Sequence, residues 1–369
     1  MNEESKLNAL KQQAEKTEEQ WRQRWQTVAG KVKKGSDRGL SMLNGVVGDY
    51  LEQKGVAIAV QMSFCLDHKP LTMDASALKL AYPQATGKLC IMLHGLGCNE
   101  SVWTIDDAEL AGKMQRPQGA VGEATYASLL GDELGYTPMY VRYNTGLHIS
   151  HNGQMLAEML SQLLAVYPVP IEEIVFINHS MGGLVARSAC FYGSKEDTQQ
   201  QQSCWVDKVR QLYFLGSPHL GADLEKFGNV VTNALKSAPL PYTSLVADIL
   251  NTRSAGIKDL RYGYVKDEDW QGQDPDDLLN NNKETVPLLD TAAHFVVTGT
   301  IHKDSNHVLS QWFGDALVRK NSATGQSRQE AHNLPFLPEH HKEFVRIHHV
   351  KLAHCWPVYE QIRDWISIN

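Results

Sequence analysis

A serine hydroxyl is a poor nucleophile at neutral pH and needs both exposure and an adjacent base. One stretch of this chain, Ile174 to Arg187 (IVFINHSMGGLVAR), carries the residues for that arrangement. Ile174, Val175, Phe176 and Ile177 form a β-branched and aromatic apolar run, the pattern of a strand buried on both faces. Asn178-His179-Ser180-Met181-Gly182-Gly183 follows, and Leu184, Val185 and Ala186 then begin an apolar helical pattern. Ser180 stands at the apex of strand, tight turn and helix. N–H groups at the start of that helix favour a developing oxyanion. Acyl transfer through a covalent serine intermediate is the chemistry this geometry suits; the bland alternative is a serine that only caps the helix.

The elements that must position Ser180 are legible on both sides of it. Upstream, Lys88 to Leu93 is another buried-strand run and empties into His94-Gly95-Leu96-Gly97-Cys98-Asn99. Glycine there lets backbone come close to a reacting carbonyl oxygen. Between the two runs, Tyr126–Leu134 reads as helix, Thr137–Tyr143 as strand and Gly153–Val166 as an amphipathic helix. Downstream, Val209–Leu215 is a strand ending in Gly216-Ser217-Pro218-His219-Leu220-Gly221, and His294–Ile301 is the next. Strands alternating with helices imply a parallel, doubly wound sheet. His148 and His151 lie in the joining stretch YNTGLHISHNGQ without a third ligand at metal spacing, so they read as loop or pocket-lining residues.

The series LHGLG, GYTPMYVRYNTG, NHSMGGLVAR and GSPHLGADLEKFG resembles the lipase/esterase branch of the α/β-hydrolases, especially bacterial GPI-inositol-deacylase-like enzymes. The resemblance runs from about Lys88 to the C-terminus. It implies an α/β-hydrolase fold: a mostly parallel doubly wound sheet, helices on both faces and a helical cap insertion. It also implies Ser180 as nucleophile at the elbow, with the N–H groups of Leu96 and Met181 as oxyanion hole. His94, Gly95, His179 and His219 become substrate-pocket residues. One departure stands out: the pattern G-x-S-x-G has Asn178 at its first position. Asn is the non-glycine residue most tolerant of unusual backbone angles, so local strain is expected there.

In this fold the triad acid and base follow the serine along the chain. Two acids come after the His294–Ile301 strand: Asp304 in HKDSNH and Asp315 in FGDALVRKNSATG. Asp315 resembles the lipase pattern G-D-G-x-V-x-x-x-S-A and takes the role, with Asp304 as the alternative. Phe344–Leu352 (FVRIHHVKL) reads as the last strand, with His348 and His349 inside it on opposite faces. His354, past that strand and ahead of a final helix from Val358 through Trp365, takes the base role. His340 and His341 sit in a charged PEHHKE loop and read as solvated. Such a triad calls for no metal or cofactor.

The remaining sequence bounds the setting. The chain has 369 residues and a formal net charge of −7, which gives no electrostatic case for nucleic acid. Six scattered cysteines without a C-x-x-C pair suit reduced thiols and a cytoplasmic location. The polar start MNEESKLNALKQQAEKTEEQ lacks a signal pattern, and no run of 18 apolar residues predicts a transmembrane segment. Leu7, Leu10, Ala14, Trp21, Trp25 and Val28 make a helical apolar stripe. That stripe docks on the chain's own body or joins two copies in a homodimer; its mixed Glu and Lys face is unlike a membrane-surface helix. Lys33–Gly39 reads as a linker and Leu43–Gln53 as a second helix.

The expected organisation is an N-terminal helical extension over residues 1–80 and a catalytic domain over 81–369, with a cap at about 222–290. Val230–Leu235 and Tyr242–Leu250 are the cap's apolar-periodic pieces. The function expected is hydrolysis of a carboxylic ester or lipid. The same triad would also serve amides or thioesters, and an inactive fold used as a binding module is the rival of another class.

Overall fold

The computed structural model describes residues 37–53, 59–114, 122–200, 204–222, 254–272, 283–300, 320–327 and 332–368. The apolar stripe Leu7–Val28 and the cap pieces Val230–Leu235 and Tyr242–Leu250 lie outside these residues, as do both candidate acids, Asp304 and Asp315.

Eight strands form one sheet: β1 (Ser63–Leu66), β2 (Lys69–Pro70), β3 (Lys88–Leu93), β4 (Thr137–Arg142), β5 (Glu173–His179), β6 (Val209–Leu215), β7 (Ala293–Thr300) and β8 (His341–Val345). Their order across the sheet is β2-β1-β4-β3-β5-β6-β7-β8. β1 pairs antiparallel with β2 and β4, and every pairing from β4 to β8 is parallel. Seven helices matter to the site: α1 (Asp37–Gln53), α2 (Ala75–Ala81), α3 (Tyr126–Leu134), α4 (Ile149–Val166), α5 (Met181–Gln200), α6 (Ala255–Tyr262) and α7 (Trp356–Ile368).

The continuous apolar runs of the central strands have a direct structural reason. Successive side chains point to opposite faces, and both faces are covered. On β5, Ile174 and Phe176 enter a core formed with Leu156 and Leu160 of α4 and Leu184 and Val185 of α5. Val175 and Ile177 enter the opposite core, with Tyr126 and Leu130 of α3 and Val358, Tyr359 and Ile362 of α7. The sheet is therefore doubly wound, and an α/β-hydrolase architecture holds. Local chemistry fixes the helix ends: Thr125 and Ser128 make a capping box on α3, which stops at Gly135 with φ 75°. Among the described residues no helix is long and apolar enough to cross a membrane.

Four expectations need correction. The boundary at residue 80 cuts through the sheet, because β1 pairs with β4 through Ser63↔Arg142 and Phe64↔Val141. A four-residue strand is too short to give a period-two signal in the sequence. Asp37–Gly39 belong to α1 and not to a linker. The last strand is His341–Val345, seven residues earlier in its end than the apolar pattern FVRIHHVKL suggested. Arg346 turns into the left-handed region at φ 67° and ends it, so His348 and His349 lie beyond the sheet. His341 opens the strand, and His340 packs on Phe295 with ring centroids 4.2 Å apart instead of standing in solvent.

Candidate active site

The elbow forms because the strand and helix are pressed together around one residue. Ser180 has φ 53°, a left-handed conformation that costs an L-residue about 1–2 kcal/mol. Its surroundings over-determine it. The Ser180 N–H donates to the Leu215 carbonyl at 2.9 Å, and its own carbonyl accepts from the Gly183 N–H at 3.1 Å. A Cβ on Gly182 would run into the carbonyl oxygen of Leu93 and approach that of His94 at 2.8 Å, so only glycine fits there. Asn178 is not the strained residue. It stays within β5, buried, with its Nδ2 donating to the Tyr213 carbonyl at 3.1 Å. The positive φ falls two residues later, on the serine.

The loop after β3 lies over this serine. A Cβ on Gly95 would come within 3.1 Å of Ser180 Cβ and 3.0 Å of His179 Nδ1. Among the described residues, neither the Leu96 N–H nor the Met181 N–H donates a backbone hydrogen bond outside regular structure. Two N–H groups beside a serine suit an oxyanion. The loop that carries Leu96 is tethered from the exit of β4: the Tyr143 hydroxyl donates to the His94 carbonyl at 2.6 Å, and Thr145 Oγ1 accepts from the Gly97 N–H at 3.0 Å.

The sequence-predicted pocket histidines are all turned into protein. His94 stacks on Tyr143 with centroids 4.4 Å apart, and its Nδ1–H donates to the Gly95 carbonyl at 3.0 Å. Burial pushes its pKa down to about 4, so the ring is neutral. His179 packs edge-on against Trp103, and its Nε2–H donates to the His349 carbonyl at 3.0 Å. Burial, followed by nearby His349, holds His179 well below the usual imidazole range. His219 is buried between Phe214 and Phe336, with centroids at 4.7 and 5.0 Å. Neither of its ring nitrogens has a hydrogen-bond partner among the described residues, and burial depresses its pKa strongly.

Two histidines beyond β8 differ in what they touch. His349 stands at the head of the short turn Val350–Ala353. Its ring lies 4.9 Å from that of His179, and a Cβ on Gly216 would come within 2.8 Å of its Nδ1. Gly216 directly follows Leu215, the acceptor for the Ser180 N–H. His354 closes the same turn and lies towards Val102 and Asp106. Its Nδ1 is buried without a partner among the described residues. Burial brings both rings down to about 4, with His348 adding to the effect at His349 and Lys351 at His354. His349 was missed because the FVRIHHVKL pattern hides the strand end at Val345. Thr145 and Tyr143 carry no motif, and only the folded loop shows their use.

A strained serine elbow at the C-terminal edge of a doubly wound, mostly parallel sheet defines an α/β-hydrolase. Residues 83–238 match the family described as "Putative serine esterase (DUF676)". Comparison with curated proteins returned no match. Among solved structures, the chain is similar to the mature Bacillus licheniformis lipase BlEst2, at 16% identity over 76% of this chain and 91% of that one, with a TM-score of 0.42. It is also similar to the Pyrococcus furiosus esterase Pf2001, at 15% identity over 77% and 83% of the two chains, with a TM-score of 0.40. The sheet, the elbow and the family match make this chain an α/β-hydrolase of the lipase/esterase kind, a carboxylic ester hydrolase.

Proposed function

We propose that the chain cleaves its ester through an acyl-enzyme on Ser180. The observation that carries this reading is the left-handed Ser180 at φ 53°, with the Gly95 backbone against its side chain. Ser180 Oγ attacks the acyl carbon as a histidine takes its proton. The Leu96 and Met181 N–H groups hold the oxyanion, and the protonated histidine then returns its proton to the leaving alkoxide. Water repeats the sequence and frees the acid. Asp315 fixes the tautomer of the base, with Asp304 as the alternative.

Sequence position nominates His354 as the base. The contacts favour His349, whose ring borders both Gly216 and His179 beside the elbow, and the two are separated by substitution. The substrate proposed is an ester with an acyl chain, a lipid included, under the cap. α6 is one described helix of that cap, and it packs against the residue after Ser180: a Cβ on Gly256 would come within 3.1 Å of Met181 Cε. The six cysteines form no disulfide among the described residues, which suits a reducing, cytoplasmic setting. Residues 1–34 are proposed to pair two copies, in which case deleting them would lower the mass seen by light scattering.

The test is hydrolysis of p-nitrophenyl esters of graded chain length by wild type and Ser180→Ala. Loss on the order of a million-fold in turnover is expected. A folded Ser180→Ala protein that kept wild-type hydrolysis would sink the assignment. Faster turnover of matched amides or thioesters would move the substrate class while leaving Ser180 in place.

A further inference from the structure

The β3 loop carrying Leu96 has no regular structure of its own, yet an oxyanion donor must be held to within a fraction of an ångström. Side chains near one strand end supply part of its restraint. Three residues at the exit of β4 grip it at successive points. Tyr143 OH donates to the His94 carbonyl at 2.6 Å, Thr145 Oγ1 accepts from Gly97 N–H at 3.0 Å, and Arg142 Nε donates to Glu100 at 2.9 Å. Tyr143, Thr145 and Glu100 are all buried, so these bonds are not exchanged with bulk water.

The far side of the loop is closed by α1, which lies outside the matched segment 83–238. Gly45 of α1 sits so close that a Cβ would stand 2.9 Å from both Gly97 Cα and Gly97 N, and 3.1 Å from Thr145 Oγ1. Gly97 itself has φ 67°. α1 is in turn held by the cap, because Ser254 Oγ donates to the Gly45 carbonyl at 2.8 Å and the Ala255 N–H donates to Asp49 at 2.9 Å.

We propose that Thr145, backed by Gly45 of α1, is a positioning residue for the oxyanion hole: the Gly97 N–H bond to Thr145 Oγ1 sets where the Leu96 N–H points. This rests on the serine-esterase reading of Ser180. Thr145 touches no reacting atom. It acts through Gly97, one residue from the donor, and α1 prevents the loop from lifting away. Ser254 and Asp49 extend the same restraint to the cap.

The experiment compares Thr145→Val, which keeps the shape and removes the acceptor, with Thr145→Ser, which keeps the acceptor. Steady-state ester hydrolysis, the rate of Ser180 labelling by a fluorophosphonate, and Tm are measured on the full chain. Thr145→Val is expected to lower kcat on the order of 10- to 100-fold with KM nearly unchanged. Labelling should slow by a similar factor, because the phosphonyl oxygen needs the same hole, and Thr145→Ser should restore both. If Thr145→Val fails to fold, Tyr143→Phe tests the same clamp at the His94 carbonyl, with the same kcat-only signature expected. Leu51→Ala removes an α1 core contact away from the loop and should lower Tm while sparing kcat at 20 °C. Wild-type kcat in a folded Thr145→Val, or a loss that Thr145→Ser shares in full, overturns the proposal alone. A folded wild type that takes no label and cleaves no ester overturns the esterase reading, and this proposal with it.

Discussion

The Ser180 N–H donates to the Leu215 carbonyl at 2.9 Å, joining the elbow to the end of β6. The next residue, Gly216, has φ 65° and no room for a side chain on the His349 side. Ser180 and His349 therefore share one support. Gly216→Ala is expected to push the His349 ring and to lower kcat at least about 10-fold, since a displacement near 1 Å costs on the order of a hundredfold. A folded Gly216→Ala protein with wild-type kcat would show that His349 is not in the machinery.

The base is decided by two substitutions. His349→Ala should lower kcat by roughly 10⁴-fold or more, and His354→Ala by less than about tenfold. Both are read from ester hydrolysis, with circular dichroism as the check on folding. The reverse pattern would return the role to His354, where sequence position put it.

Both acids proposed for the triad, Asp315 and Asp304, lie outside the described residues, and their test is likewise a pair. Asp315→Asn should cost on the order of 10⁴-fold in kcat, because an amide holds the wrong histidine tautomer. Asp304→Asn should cost little. A large loss at Asp304 alone would show that position near the strand end outweighs the resemblance to the lipase Asp motif.

Buried neutral histidines tie stability to pH. His94 is brought down to about 4, and His179 and His219 fall well below the usual range, each first by burial. Unfolded histidine titrates near 6.5. Between about pH 6.5 and 4 the unfolded chain thus binds protons that the native one refuses, and stability falls as pH falls. For His94 this amounts to on the order of 2 kcal/mol of loss by pH 5. Urea midpoints at pH 7.5 and pH 5.0 measure it. Equal or greater stability at pH 5.0 would mean that these rings accept protons in the folded protein.

Much of this was legible in the sequence, for physical reasons. β5 and β6 are buried on both faces, so their apolar runs mark them, and Val209–Leu215 matches the observed strand in both bounds. Ser180 and the HGLG loop announce themselves because close backbone approach demands glycine. The strain at Asn178 was misplaced: its side chain bonds within the sheet while the serine takes the unusual φ. β1 was too short to signal itself, and the end of β8 was masked by apolar residues that continue into the next turn. Thr145 and Gly45 are invisible for another reason. Their roles come from contacts between segments about 50 residues or more apart in the chain, Gly97 with Thr145 and Gly45 with Gly97.

The central claim, that Ser180 is an activated nucleophile, is tested most directly by intact-mass analysis after exposure to a fluorophosphonate. One adduct per chain is expected on the wild type, mapped to Ser180, and none on a folded Ser180→Ala protein. A folded wild type that stays unlabelled, or an adduct that persists on Ser180→Ala, would contradict it.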